Sequence, residues 1–411
     1  MEIEKEKYKF KEIFLVGLLV MLSGNPHLNI PILFGMTGVL ATLYTISRHN
    51  AAKRIKLWKY LFFLTCIFAG QMVTFGMISY MGSINVLAKI MFGATVMWVL
   101  KERFRGAYLK VMYFFAAVSL IFFALEFIGF KIPDLVHVAP NRNSIFIFSS
   151  LNNVDKLRNC GPFWEPGAFA CYLILVPILY IDNLKTFVVN NKKKAIVLLL
   201  ALITTISTTG YICLFILTIY YYLTQTKNKF TAYFIYLPLA MATIYIAYTQ
   251  LDFMNDKIES QTEASVEMDG EFSNHRLGSL LFDLHYIKKH PIVGNGLNEQ
   301  TRYADHPFLW GEELGHGNAF SNYTAQMGVV ALIVYFVLLY FAFGNKLIVP
   351  IIIALLFQGE QLMNYPLFSA LPFIILFPKL NKFKRKKINR YETYSNNNDG
   401  VQPQSTYTSV S

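Results

Sequence analysis

The chain has 411 residues, 55% of them hydrophobic and only 15% charged, with 36 Phe and 25 Tyr. A soluble domain of this length carries more charge and less apolar surface, so the composition points to lipid-facing helices and excludes an ordinary water-soluble protein. The formal net charge of +12 would suit nucleic acid, but its distribution sorts with membrane sidedness instead.

Apolar stretches recur along the whole chain between short polar segments. They predict spans near 11–23, 29–47, 58–79, 83–100, 107–130, 167–184, 194–207, 209–224, 231–251, 321–343, 346–360 and 366–379. Several are shorter than the roughly 20 residues of a perpendicular crossing, which tilt or burial against neighbours accommodates. The first run, Ile13–Leu22, is followed by no small-x-small site and reads as an uncleaved helix. The expected class is an all-α polytopic membrane protein of about twelve transmembrane helices. It divides into an N-terminal bundle at 1–130, an outer loop at 131–166, central helices at 167–251, a large outer loop at 252–320, C-terminal helices at 321–379 and a tail at 380–411. The tail is basic from Lys379 to Arg390, which suits anionic headgroups, and then rich in Asn, Ser, Thr and Gln.

Counting the spans alternates the loops between two sides. One side collects the lysines before residue 12, the basic clusters at 48–59 and 101–110, Lys185, Lys192, Lys193, Lys194, Lys227, Lys229, Lys346 and the basic tail. The other side receives only Lys131, Arg142, Lys156, Arg158, Lys257, Arg276, Lys288, Lys289 and Arg302. The excess marks the cytoplasmic side, so both termini are expected inside and segments 131–166 and 252–320 outside.

The four cysteines, Cys66, Cys160, Cys171 and Cys213, form no CxxC and no metal-ligand spacing. No GxGxxG or GxxxxGK[ST] is present, which argues against a nucleotide-driven pump. Lys89 and Glu126 fall inside predicted spans and read either as an interhelical salt bridge or as transport residues. Glu360 falls at the outer end of a span, within reach of water or a headgroup.

The first outer loop ends in Arg158-Asn159-Cys160-Gly161-Pro162-Phe163-Trp164-Glu165-Pro166-Gly167. Pro166 suits the first turn of the following helix, and Glu165 then stands at its positive end. Arg158 with Glu165 reads as an interfacial ion pair beside a belt tryptophan, or as an anion clamp whose guanidinium fork suits phosphate. In the second outer loop, apolar residues at 277, 280, 281, 284 and 287 recur at helical spacing and predict an amphipathic helix at the membrane face, beginning near Arg276. His290-Pro291-Ile292-Val293-Gly294-Asn295-Gly296 ends it in a tight turn whose N–H groups could approach an anion. The loop closes with Gly315-His316-Gly317-Asn318 before the next span. His316, flanked by glycines, reads as a surface histidine beside a capping Asn318, or as a general base kept neutral by nearby arginines.

Taken together, these elements resemble the O-antigen polymerase and ligase superfamily of bacterial envelopes. The pieces that carry the resemblance are R-x-x-G-x-F-x-E-P-G-A at Arg158–Ala168, R-L-x-S from Arg276, H-P-I-V-G-N-G at 290–296 and H-G-N-x-F-x-N-Y-x-A-x-x-G at His316–Gly328. Ser207-Thr208-Thr209-Gly210-Tyr211 is similar to the Ser/Thr-rich break between two spans in that superfamily. The resemblance covers most of 150–330 and implies a C-type glycosyltransferase architecture in the bacterial cytoplasmic membrane, acting on an oligosaccharide carried by undecaprenyl pyrophosphate. It implies that Arg158 and Arg276 bind the pyrophosphate and that His316 activates or holds the acceptor hydroxyl. Glu165 would then organise Arg158, with Asn318, His290 and Gly294 as further binding positions. Fixed guanidinium groups would stabilise the leaving pyrophosphate without a metal or cofactor. The F-W-E-P-G-A-F pattern resembles repeat-unit polymerases of O-antigen, capsule or exopolysaccharide more closely than ligases. A ligase using the same donor and a transporter are the alternatives, no nucleic-acid partner is expected, and a chain-length regulator is a partner left open.

Overall fold

The computed structural model describes residues 8–25, 28, 31–47, 51–130, 142–145, 148–153, 156–225, 276–310 and 318–375. The basic tail, the predicted span at 231–251, the acidic start of the second outer loop and His316 lie outside the described residues. Helices dominate: α1 (Phe10–Leu22), α2 (Pro31–Ser47), α3 (Ala51–Phe75), α4 (Tyr80–Leu100) and α5 (Arg103–Phe127) come first. Strands β1 (Arg142–Ile145), β2 (Phe148–Asn153) and β3 (Lys156–Gly161) follow, then α6 (Pro166–Leu179), α7 (Leu184–Asn190), α8 (Lys192–Thr204) and α9 (Thr208–Gln225). The last group is α10 (Arg276–Lys289), α11 (Glu299–Arg302), α12 (Ala319–Ala342), α13 (Ile348–Gly359) and α14 (Pro366–Ser369).

Among the described residues four helices, α3, α4, α5 and α12, are long and apolar enough to cross a membrane. The pair α6 and α7, bent by 55°, makes a fifth if it is one crossing. Parts of α2, α9 and α13 are apolar but shorter. The expected last span at 366–379 does not form over its described part. Residues 366–373 make the short α14 and a 3-10 turn, both buried, because Pro366 and Pro372 restart the backbone twice within seven residues. β1, β2 and β3 form a small antiparallel sheet in that order, within a chain that is otherwise mostly helical and consistent with the expected all-α class.

An aromatic contact set ties the sheet to α5. Phe148 of β2 meets the rings of Phe115 and Phe122 on α5, at centroid distances of 6.2 and 5.6 Å. Beside it, α6 is apolar on every face and buried on every face except at Pro177, as a helix at the centre of a bundle must be. Its Tyr172 stacks on Phe163 at 4.1 Å and donates its hydroxyl to the Ser23 carbonyl, while Tyr108 donates to the Tyr172 carbonyl at 2.9 Å. The Ser23 hydroxyl accepts from the Leu367 N–H at 2.9 Å, tying the end of α1 to α14. Close helix approaches use small residues, as at Gly38 of α2 against Ala88 of α4. All four cysteines are free thiols.

Candidate functional site

The 158–168 motif builds a corner. Arg158, on β3, donates from Nε to the Thr205 carbonyl and from Nη2 to the Ile206 carbonyl, both at 3.1 Å. These carbonyls belong to the C-terminal end of α8, where orphan acceptors and the negative end of the helix dipole favour a cation. Next to it, Asn159 donates to Ser119 Oγ on α5 at 3.2 Å and to Thr204 Oγ1 on α8 at 3.0 Å, and accepts from the Gly161 N–H at 2.9 Å. Two motifs far apart in sequence therefore meet: the Arg158 segment braces the Ser/Thr-rich break that begins at Ser207. Ile206 sits there at φ 48°, a left-handed conformation that a β-branched residue adopts only under constraint.

Glu165 does not pair with Arg158. It is the exposed N-cap residue of α6, and its side chain makes no cap bond. The carboxylate at that helix start is Glu360, buried and not water-facing as the sequence suggested. Glu360 packs against Gly167, where any Cβ would collide with Oε1, and accepts from Trp164 Nε1 at 3.2 Å. Trp164, partly buried, in turn stacks on Tyr365 at 4.8 Å. The chain approaches α6 with Glu165 pointing out because Pro166 occupies the first turn and turns the backbone inward.

The 290–296 turn is structural. α12 breaks at Gly328, whose φ is 84° and ψ 159°. In an unbroken helix the Val329 N–H would bond the Ala325 carbonyl. Here it donates to the Pro291 carbonyl at 2.7 Å, while Ala325 and Gln326 carbonyls accept from Asn295 N and Gly296 N at 2.8 and 3.0 Å. Buried Gln71 of α3 closes the joint, donating to the Val293 and Gln326 carbonyls at 2.6 and 2.9 Å. The Gly294 N–H is bonded to the His290 carbonyl at 2.9 Å. Neither glycine N–H is therefore available to an anion, which corrects the expected role of Gly294. His290 packs its ring edge-on against Phe75 at 4.8 Å. Asn318 is the N-cap of α12, its Oδ1 accepting from the Ser321 N–H at 3.1 Å, so its polar end is committed to the helix.

α10 begins at Arg276, whose side chain lies outside the described residues, and is amphipathic as expected. Ser279, Phe282, Asp283 and Tyr286 are buried against the protein, whereas Leu281 and Leu284 are 50% and 38% exposed. The leucine face is thus uncovered, and the polar and aromatic face makes the core. Asp283, seven residues after Arg276 and so two turns along the helix, is fully buried. It accepts from Arg302 Nη2 and from the Ser321 hydroxyl of α12. Arg302 is 2% exposed, contacts Asn322 Oδ1 at 3.4 Å, and lies between the rings of Tyr286 and Tyr303 at 5.1 and 4.9 Å. Its Nε and Nη1 have no hydrogen-bond partner.

Around this knot, Asp305 accepts from Lys289 and bonds His285 Nε2 at 2.7 Å. The Lys289 bond, then the His285 bond, hold its carboxyl below the usual range. Burial pushes the Tyr286 phenol up to about 12 and pushes the His306 imidazole below its ordinary value. Tyr286 Oη and His306 Nδ1 share a hydrogen bond, 2.7 Å apart. The sequence reading missed Asp283, Arg302 and His306. The one available signal was a carboxylate interrupting Leu280-Leu281-Phe282-Asp283-Leu284, since a charge inside an apolar run needs a partner. Among the described residues no group of three or more His, Cys, Asp or Glu could hold a metal ion. No protein-family model, curated protein or solved structure matches the chain.

Proposed function

We propose that the chain is a glycosyltransferase of C-type architecture that polymerises oligosaccharide repeat units from a polyprenyl pyrophosphate carrier at the outer face of the bacterial cytoplasmic membrane. The observation that supports it most is the buried knot of Asp283, Ser321 and Arg302. It locks the helix that begins at Arg276 to the helix whose N-cap follows His316 by two residues. The helices that start at or just after the two positions the sequence marks for phosphate binding and for base chemistry are thereby joined, and α10 leaves Leu281 and Leu284 exposed.

In this reading an acceptor hydroxyl attacks the anomeric carbon as the bond to the pyrophosphate oxygen breaks. His316 takes the hydroxyl proton, and Arg276 stabilises the charge left on the pyrophosphate. Arg158 braces the α8–α9 corner through Nε and Nη2. Replacing Arg276 or His316 by Ala in cells should leave single repeat units on the carrier, with the protein still at normal level in the membrane. Full-length polymer on the carrier would favour the ligase, and an unchanged surface polysaccharide would end the reading. The transporter alternative gains nothing: Lys89 lies over the Phe34 ring at 4.5 Å and makes no ion pair with Glu126, and Glu360 is closed in by Trp164 and Gly167.

A further inference from the structure

Among the described residues, an apolar cleft of about 430 Å³ opens between α6, α7, α8 and α9, away from the knot described above. Along α8 it runs from Lys192 past Leu199 to Leu202, a rise of about 15 Å. Leu217 of α9 and Phe187 of α7 face the same space, and Tyr222 lies toward the lysine end because α9 returns antiparallel to α8. The cleft thus carries a cation at one end and hydrocarbon along the rest.

The basic end is uncompensated. α8 opens with Lys192, Lys193 and Lys194, where the positive end of the helix dipole disfavours cations. None of the three has a hydrogen bond or ion pair with a described residue, and Lys110 of α5 adds repulsion on Lys194. The Asn191 cap supplies no side-chain acceptor. Of the three, Lys192 lines the cleft, so an anion at this end would meet Lys192 beside the free N–H groups of the α8 N-terminus. Tyr221 and Tyr222 suit a membrane–water boundary at the same level.

We propose that this cleft binds one acyl chain of an anionic phospholipid, with its phosphate held by Lys192 at the N-terminus of α8. A zwitterionic lipid would offer the same chain but bring a compensating positive charge, and free phosphate would offer the charge without the chain. The proposal stands apart from the enzymatic reading, and either can fail alone.

The test is native mass spectrometry of the full-length protein in neutral detergent, titrated with dioleoyl phosphatidylglycerol, dioleoyl phosphatidylcholine or inorganic phosphate. One phosphatidylglycerol should be retained about tenfold more tightly than phosphatidylcholine. K192A/K193A/K194A should bring retention down to the phosphatidylcholine level. Leu199→Trp, at a position 41% exposed, should block the cleft and lower retention with all lysines intact. Thermal unfolding checks each variant, and the single change Lys192→Gln at an exposed position serves if the triple variant fails to fold. Equal retention of both lipids by the wild type, undiminished retention by the lysine variants or by Leu199→Trp, or displacement of the lipid by millimolar inorganic phosphate would each overturn the assignment.

Discussion

Removing one partner of the Asp283–Arg302 pair leaves a charge with neither water nor counter-ion, a loss of about 3–5 kcal/mol. Asp283→Ala and Arg302→Ala should therefore loosen the α10–α12 module, seen as faster proteolysis there. Replacing both by apolar residues removes the problem as well as the pair, so D283L/R302M should recover most of that stability. If the double variant folds but leaves single repeat units on the carrier, the unpaired Nε and Nη1 of Arg302 serve the reaction; normal polymer would make the knot purely structural. Ile206 offers a second residue-scale case. Its left-handed backbone costs about 1–3 kcal/mol, and Arg158 holds its carbonyl. Arg158→Ala should lower the melting temperature, and adding Ile206→Gly should restore part of it; independent effects in the double-mutant cycle would mean that Arg158 does not hold the strain. The pH dependence of the module has a definite sign. The folded His306 titrates below its ordinary value, chiefly through burial, with Asp305 opposing and His285 and Lys289 reinforcing the shift. Asp305 is also depressed. Both groups contribute stability above their unfolded values and lose it as pH falls through the folded ones, because the unfolded chain binds the proton more readily. Amides near 303–309 should exchange faster as pH drops from about 6.5 towards 4, the interval spanned by ordinary His and Asp values.

At the scale of elements, the break in α12 is the joint on which the 290–296 turn hangs. The break frees carbonyls that the 290–296 turn and Gln71 take up, so the turn is shaped by a helix more than thirty residues away. Gly294→Ala places a Cβ against the Gln326 carbonyl at a φ of 71°, and should cost more than the roughly 1 kcal/mol of an ordinary Gly-to-Ala change in left-handed backbone. Gln71→Leu leaves the Val293 carbonyl without this donor, while the Gln326 carbonyl keeps the Gly296 N–H, a cost of about 1–3 kcal/mol at most. Denaturant melts of the two variants check this; wild-type midpoints would mean that the turn does not bear on α12. Much of this was legible as motif and little of it as role. Arg158, Pro166, the Ser/Thr break and the glycines of 290–296 all stood out in the sequence. What spacing cannot give is the partner, because Arg158 finds α8, Glu360 displaces Glu165 at α6, and Asn295 finds Ala325 only once the chain has folded. The sheet at 142–161 was hidden for another reason: Ser144-Ile145-Phe146-Ile147-Phe148-Ser149 has no clean alternation that would separate strand from loop. On α10 the leucine stripe was read correctly as apolar, but the buried face is the one carrying Asp283 and Tyr286.

For the whole molecule, the contacts sort helix ends into two sets that agree with the loop parity of the sequence. Glu12 at the start of α1 pairs with Arg103 at the start of α5, and Lys346 after α12 pairs with Asp182 after α6. Those four residues belong to the side rich in Lys and Arg. At the opposite end, Gln71 meets Val293 and Trp164 meets Glu360, all from the basic-poor side. Contacts of this kind say which ends lie together; the charge bias says which end faces the cytoplasm, since Lys and Arg are retained there in short loops. A phosphatase reporter fused after Gly270 should therefore be active, and one fused at Asn345, in the turn beside Lys346, should be silent. The two positions are separated by one crossing, α12, so a single miscounted span elsewhere cannot make both readouts agree by accident. Activity at Asn345 with silence at Gly270 would invert the molecule, put Arg276 and His316 in the cytoplasm, and remove the outer-face polymerase with them.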